Sequence, residues 1–409
     1  MTRNTFASMF SFARRPMLLS LLAMNIIVAI GALVEYPQLG MSNNIAYGLA
    51  YHLLCFSFLL AGYFTRIRLW RRGPDRGATA NDLEMSYAIS GFIWLLLVIG
   101  VLSSMATVTY VESIREYILS MISGSSPVTR GVEVRSELGG APGYLKLLSF
   151  LPLAIYSIMV VRLRFRSYGD IPSREIYLFF FSILSIVVKV FFTQDRLSVF
   201  FLLFGILLVK KNASGLIRVA CNLLVFSLIV IMSLISLIRF REIGSGAFDF
   251  VLIYSRLGLE NLSIILQSKD YSWGAQSIFS APRAVLEKLN IFSGAQIVTE
   301  YVWNPAQYVY SYLYSDFGYF SLFIIYFYGL WMRNLDLSIT RSAGWIVQTL
   351  ILPMSVNNFT GIGVMWLRGV EFFFVIFVSG FLLKNIYSRF MLVSRGHGKV
   401  RTLHLRSPT

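Results

Sequence analysis

Hydrophobic residues form long runs along the chain, separated by short polar and basic segments. A helix of about 20 apolar residues crosses the hydrocarbon core of a bilayer, which is roughly 30 Å thick. The pattern therefore predicts an all-α, polytopic membrane helix bundle that forms one transmembrane domain over residues 1–409. About ten spans are expected, at residues 16–34, 44–64, 87–109, 144–161, 176–192, 197–209, 216–238, 308–331, 343–356 and 361–383.

The composition agrees with this prediction. The chain is 56% hydrophobic and only 14% charged, whereas soluble proteins carry about 25% charged residues. The first apolar run follows Arg14, Arg15 and Pro16, and no small-residue cleavage site follows it. We therefore expect this run to be a retained first helix rather than a cleaved signal peptide.

Basic residues between the spans predict the orientation. Lysines and arginines concentrate in cytoplasmic loops of membrane proteins, and here they occupy alternate connections, while the short loops 35–43 and 357–360 have none. Both termini are therefore expected in the cytoplasm, which suits the inner membrane of a bacterium. The net charge of +16 is spread over several separate segments, so a nucleic-acid partner is not expected.

The longest segment on the opposite side covers residues 239–307 and is predicted to be a large periplasmic loop within the domain. Its apolar spacing predicts an amphipathic helix near 247–267. A second helix is expected after Ser280, which precedes a proline at a helix start. Together they would form a helical cap over the outer mouth of the bundle.

Arginines are frequent on this outer side. Their planar guanidinium groups bind phosphate in a bidentate manner and remain charged. The set therefore suits a lipid pyrophosphate, although each arginine has the alternative of a salt bridge with an acidic residue on a solvated helix. The members are Arg196, Arg239, Arg241, Arg256 and Arg283. The candidate partners are Asp195, Glu242, Asp249, Glu260 and Glu287.

Four further ionisable residues lie inside predicted spans. Arg368 and Glu371 are three residues apart on one helix face, which indicates either a functional pair or a structural lock between helices. Lys189 lies near the outer end of its span and is expected to snorkel towards water. His52 has no second histidine or cysteine near it in the sequence, so we interpret it as a hydrogen-bonded packing residue.

No cofactor is expected. The other two histidines are in the carboxy-terminal tail, and both cysteines lie inside spans. A zinc site, a disulfide and a histidine base in an outer loop are therefore not predicted. No phosphate-binding nucleotide loop is present either, so the energy for any reaction would come from an activated substrate.

The segment NPAQYVYSYLYSDFGYF resembles the hallmark of Wzy-type oligosaccharide repeat unit polymerases, which assemble O-antigen or capsule. A polar Asn/Tyr stretch and a Tyr-x-Asp-Phe-Gly segment open a late helix in that family. The matching residues are Asn304, Tyr310, Tyr314, Asp316, Phe317 and Gly318. Arg196 at the start of a mid-chain helix, and Arg283 followed after ten residues by Gly294, are weaker similarities.

The resemblance implies a metal-independent glycosyltransferase at the periplasmic face of the inner membrane. It would join undecaprenyl-pyrophosphate-linked repeat units, with membrane lipid and a chain-length regulator protein as further partners. Arg196, Arg256 and Arg283 would stabilise the pyrophosphate leaving group. Asp316 would be a general base for the acceptor hydroxyl, or alternatively an amino-terminal helix cap. The residues expected to bind substrate are Arg239, Arg241, Tyr314, Asn304 and Arg368.

Three other functions compete with this interpretation. An O-antigen ligase uses a similar donor, but a histidine is expected in one of its outer loops. A flippase or other secondary transporter would not need a structured outer cap. A structural membrane subunit without activity would not need the outer arginines.

Overall fold

The described part of the chain is helical, and no strand occurs in it, which confirms the all-α prediction. The computed structural model describes residues 15–34, 45–67, 85, 87–108, 142–165, 172–193, 196–210, 219, 221–230, 233, 249–267, 308–338, 345–360 and 374–386. The predicted helix after Ser280 and the Arg368–Glu371 pair lie outside these residues.

Thirteen α-helices are present in the described residues, and all but one fall on predicted spans. They are α1 Pro16–Leu33, α2 Ala46–Phe64, α3 Tyr87–Val108, α4 Gly143–Leu148, α5 Leu151–Phe165, α6 Ser173–Thr193, α7 Arg196–Lys210, α8 Cys221–Val230, α9 Asp249–Gln267, α10 Val309–Phe317, α11 Ser321–Leu337, α12 Trp345–Thr360 and α13 Phe374–Ile386.

Four helical segments of the described residues are long and apolar enough to cross a membrane: Pro16–Leu33, Ala46–Phe64, Ile89–Thr107 and Gly143–Arg164. Three shorter helical segments are also apolar. Many large apolar side chains point away from the protein, such as Leu33, which is 84% exposed. Such a surface suits lipid, because hydrocarbon solvates it better than water does. The chain is a membrane protein by this criterion.

The predicted span 144–161 is confirmed as a helical segment long and apolar enough to cross a membrane, although a turn at Ser149 and Phe150 separates α4 from α5. Two other predictions about the spans are wrong in detail. The predicted span 308–331 is broken after Phe317. The predicted outer loop 357–360 is instead the end of α12, because its asparagines find hydrogen-bond partners inside the bundle.

The helices pack as two groups. One contains α1, α2, α9, α10 and α11, and the other contains α3 to α7, while α12 contacts α1 in the first group and α5 and α7 in the second. In the first group α2 and α11 lie backbone against backbone at Gly62 and Gly329. A Cβ atom on either glycine would collide with a carbonyl of the facing helix, at Tyr326 or Leu59. Small residues allow such close helix packing in membranes.

The start of α1 is held by a residue more than 300 positions away. The carboxyl group of Asp336, at the end of α11, accepts hydrogen bonds from the backbone N–H groups of Met17 at 3.0 Å and Leu18 at 3.2 Å. The Tyr63 hydroxyl of α2 donates to the same carboxyl at 2.6 Å. Three helices are thus joined at one end of the bundle, which we call the Asp336 end.

The Asp336 junction predicts a pH dependence of stability. Burial raises the pKa of the Asp336 carboxyl from 3.8 to about 6, although its hydrogen bonds lower it. A raised pKa means that the native state binds the proton more tightly than the unfolded state does. The contribution of Asp336 to stability is therefore fully present below about pH 4 and is lost as the pH rises through about 6, up to about 3 kcal/mol.

Thermal unfolding in detergent between about pH 4 and pH 7 tests this prediction. The wild type should lose stability relative to Asp336→Asn as the pH rises, since asparagine does not titrate. A constant difference between the two proteins across this range would contradict it.

Candidate functional site

Helix α9 confirms that a helix is present near 247–267. It does not have the solvent-facing polar side that an amphipathic helix would have. Its polar side chains do not face solvent: Arg256 is 3% exposed, Glu260 2% and Asn261 1%. The helix packs against α1, α2 and α10, and the Ser263 hydroxyl accepts a hydrogen bond from the Gly48 N–H at 2.8 Å. The expectation of an amphipathic helix with a polar side open to solvent is therefore wrong for α9, because its charged side chains are buried against neighbouring helices.

Arg256 is the central charged residue of α9. Its Nε donates to Glu260 Oε1 at 3.2 Å, one helical turn along, and its Nη1 donates to the Ala32 carbonyl at 3.0 Å. Ala32 lies in the last turn of α1, which has no basic residue of its own. Arg256 therefore supplies the positive charge that a helix carboxyl end favours. We call this side of the bundle the Arg256 end.

Asp316 is fully buried, with 0% exposure, but it does not cap the start of a helix. It lies in the last turn of α10, five residues before α11 begins, and α11 has no side-chain cap. The predicted alternative of an amino-terminal cap is therefore wrong. The carboxyl end of a helix disfavours a negative charge, so the position of Asp316 is not explained by helix stability.

A glycine separates Asp316 from the next helix. Gly318 has φ 54°, and a short 3₁₀ turn, Gly318–Phe320, connects α10 to α11. Only glycine adopts this backbone conformation without strain. Backbone that departs from helix at membrane depth is tolerated where protein or a cavity surrounds it. The break lets α10 take a different direction from α11 while both pack against neighbouring helices.

Tyr314 belongs to a cluster of three tyrosines beside this break. Its ring lies edge-on to Tyr51 of α2, with centroids 5.1 Å apart, and to Tyr319, 5.5 Å apart. The Tyr51 hydroxyl is 2.5 Å from Ser321 Oγ, at the start of α11. Tyr319 is 65% exposed. The cluster therefore connects the buried Asp316 segment with the surface of the bundle.

His52 is the functional candidate that the sequence analysis missed. The interpretation as a hydrogen-bonded packing residue is confirmed, since Nε2 lies 2.8 Å from Asn25 Oδ1. However, its ring also contacts the rings of Tyr308 and Tyr310, each with centroids 5.1 Å apart. A signal was present in the sequence, because His52 is an ionisable residue inside a predicted span.

Three of the predicted site residues lie on neighbouring helices. Arg256, Asp316 and Tyr314 lie on α9 and α10, which pack together. Arg196 is the first residue of α7, in the other group of helices. The remaining candidates, Arg239, Arg241, Arg283, Asn304 and Arg368, lie outside the described residues.

Lys189 was expected to extend towards water, and this prediction is wrong. It is 4% exposed, and its Nζ lies 3.1 Å from the centroid of the Phe150 ring, at the break between α4 and α5. A cation over an aromatic face is stabilised without reaching water. Within the described residues, no group of three or more His, Cys, Asp or Glu side chains could hold a metal ion.

Comparisons with protein-family models, curated proteins and solved structures found no match. The resemblance to repeat unit polymerases therefore depends on the residues of the motif, and the site has to be argued from its own geometry.

The buried ion pair of α9 generates a stability prediction. Arg256→Gln leaves the Glu260 carboxylate without its ion-pair partner, and should lower the free energy of unfolding by about 3–5 kcal/mol. Adding Glu260→Gln should recover most of this loss, because the charge that needed compensation is removed. Thermal unfolding of the two variants in detergent measures the difference. A double variant as unstable as the single one would show that the pair is not the reason for the loss.

Proposed function

We propose that this protein polymerises undecaprenyl-pyrophosphate-linked oligosaccharide repeat units at the periplasmic face of a bacterial inner membrane. In this arrangement about ten helices span the membrane and both termini are cytoplasmic. The Asp336 end faces the cytoplasm, and the Arg256 end faces the periplasm. The basic segments between the predicted spans support this orientation, since they alternate along the chain.

One observation carries the proposal: a cation and a carboxyl group are buried on two helices that pack together, α9 and α10. Arg256 is 3% exposed and Asp316 is 0% exposed. Ionisable residues inside a membrane bundle are costly and mark functional sites by default. Asp316 also lies within the segment that resembles the polymerases, and at a helix end that disfavours it.

The proposed reaction needs few groups from the protein. The hydroxyl oxygen of the acceptor sugar attacks the anomeric carbon of the donor, and the bond from that carbon to the pyrophosphate oxygen breaks. The pyrophosphate leaves with the electron pair, and Arg256 stabilises the charge that develops on it. Asp316 accepts the proton of the acceptor hydroxyl. Tyr314 lies two residues from Asp316 and would position the sugar through its ring.

Glu260 is part of this mechanism because it is paired with Arg256. A pyrophosphate oxygen would compete with Glu260 for the guanidinium group, since both are oxygen anions within reach of the same donor. Arginine has five N–H donors in a planar fork, so it can reorient towards phosphate while it retains the Ala32 carbonyl. The ion pair with Glu260 would then neutralise the charge of Arg256 before the substrate binds.

The nearest alternative is an O-antigen ligase. The structure adds a histidine to the Arg256 end, but His52 lies within α2 rather than in an outer loop, where the ligases are expected to have theirs. The polymerase therefore remains the better supported function.

Deletion of the encoding gene separates these functions through the surface glycan. Loss of a polymerase should leave single repeat units attached to the surface lipid, because ligation continues without chain growth. Gel electrophoresis of the extracted glycolipid measures this. If no repeat unit remains attached, the protein is a ligase or acts upstream of it, and an unchanged ladder would exclude all of these roles.

Substitutions in the site test the roles of its residues. Asp316→Asn keeps the shape of the side chain but cannot accept a proton, so polymerisation should slow by about 100- to 10,000-fold. The double variant Arg256→Gln with Glu260→Gln should slow by about 100- to 1000-fold, because the leaving group loses its charge-assisted hydrogen bond. The measurement is the rate of chain growth by purified protein with lipid-linked repeat units.

Asp336→Asn provides a matched control, since it is the same chemical change to a buried aspartate at the other end of the bundle. It should retain the wild-type rate per folded molecule. Wild-type chain growth in Asp316→Asn would show that Asp316 is not the base, whatever the family.

A further inference from the structure

A tyrosine of α2 contacts the chain on both sides of Asp316. Tyr51 is buried, and its ring lies edge-on to Tyr314, with centroids 5.1 Å apart, and to Tyr319, with centroids 6.1 Å apart. Tyr314 lies two residues before Asp316, and Tyr319 lies three residues after it. One side chain from a neighbouring helix therefore supports both flanks of the buried carboxyl group.

The hydroxyl group of Tyr51 begins a chain of two hydrogen bonds that ends on Gly318. Ser321 Oγ donates its hydrogen to the Gly318 carbonyl at 2.6 Å. A serine hydroxyl has a single hydrogen, so the Tyr51 hydroxyl, 2.5 Å from Ser321 Oγ, is the donor in that contact. Ser321 is buried, so bulk water does not compete for either bond.

Both backbone groups of Gly318 are fixed by hydrogen bonds. Its N–H donates to the Tyr314 carbonyl, and its carbonyl accepts from both the hydroxyl and the backbone N–H of Ser321. Helix α10 ends where Gly318, with φ 54°, leaves the helical conformation. Because Asp316 lies in the last turn before this point, the bonds that fix Gly318 also fix the turn that carries Asp316.

The Tyr51 hydroxyl is not needed to hold α2 against α11. These two helices already meet through the close backbone contact at Gly62 and Gly329, and Gly62 is about three helical turns from Tyr51. What the hydroxyl group adds is a bond to the first residue of α11, directly after the break. Its contribution is therefore local to the segment that contains Asp316.

We propose that Tyr51 is a positioning residue for the reaction, whose hydroxyl group acts through Ser321 and Gly318 to hold the Asp316 carboxyl group in place for proton transfer. This inference rests on the proposed function, in which Asp316 is the general base. Proton transfer depends on the distance and angle between the base and the hydroxyl group that loses the proton. In this role Tyr51 does not touch the substrate.

Tyr51→Phe separates the hydroxyl group of this side chain from its ring, since it keeps the ring contacts with Tyr314 and Tyr319. With lipid-linked repeat unit purified from the host, the kcat of chain growth should fall by about 10- to 100-fold, because a small displacement of a catalytic group has an effect of this size. The KM for the repeat unit should stay within about twofold of the wild-type value, because substrate contacts are retained.

Two double variants test whether Tyr51 acts through the groups named here. Ser321→Ala removes both hydrogen bonds of the chain and should lower kcat at least as much as Tyr51→Phe, and adding Tyr51→Phe to it should cause no further loss. In the Asp316→Asn background, Tyr51→Phe should lower the residual kcat by less than about twofold, because the group that it positions no longer acts as a base. A purely structural role predicts the same loss of kcat in both backgrounds.

The matched control is Tyr63→Phe, which removes the hydroxyl group of another buried tyrosine of α2. This hydroxyl donates to Asp336 at the other end of the bundle. Tyr63→Phe should lower the unfolding temperature in detergent and keep the wild-type kcat per folded molecule.

The inference is overturned if Tyr51→Phe retains the wild-type kcat, if only its KM changes, or if it loses kcat equally with and without Asp316→Asn. Each of these results leaves the proposed function standing. Wild-type chain growth in Asp316→Asn would overturn the inference together with the assignment of the base. If the purified wild-type protein extends no chains, the proposed function fails, and this inference fails with it.

Discussion

The first group of helices depends on satisfying the two ends of α1. The backbone groups in the first and last turns of a helix have no partners within the helix, and a membrane offers no water to replace them. Helix α1 has no acidic residue in its first turn, no basic residue in its last turn and no side-chain cap. Asp336 from α11 accepts two hydrogen bonds at the first end. Arg256 from α9 donates one at the last turn, with the sign of charge that a helix carboxyl end favours.

This requirement explains why α9 and α11 both pack against α1. Asp336 reaches the start of α1 only if α11 descends beside α2, which explains the glycine contact between those helices at Gly62 and Gly329. Arg256 reaches the other end only if α9 lies within the bundle instead of above it. Helix α10 packs on α9 and leads into α11. The break at Gly318 therefore connects the helix that carries Asp336 to a helix that packs on the one that carries Arg256.

Local patterns in the sequence were sufficient to locate the helices, but not to show what surrounds their polar side chains. Apolar runs located nearly every described helix, because each must be apolar to pack or to face lipid. The polar face of α9 was assigned to water, since periodicity alone cannot show that Arg256 has a carbonyl of α1 as its partner. The sequence analysis placed Asp316 at a helix start, whereas α10 ends just after it at Phe317. This end depends on the positive φ angle of Gly318, which the sequence pattern does not reveal. The sequence analysis did not consider Asp336, because its backbone partners in α1 lie more than 300 residues away.

Arg256 makes two contacts, with the Ala32 carbonyl of α1 and with Glu260. Under the proposed function, the contact with Ala32 would persist through the reaction, because α1 needs it whether or not substrate is bound, and the pairing with Glu260 would be exchanged for phosphate. Asp316 lies at the carboxyl end of α10, a position that the helix dipole disfavours for a negative charge. Under the proposed function, this buried carboxyl group would serve the acceptor hydroxyl rather than the helix that carries it.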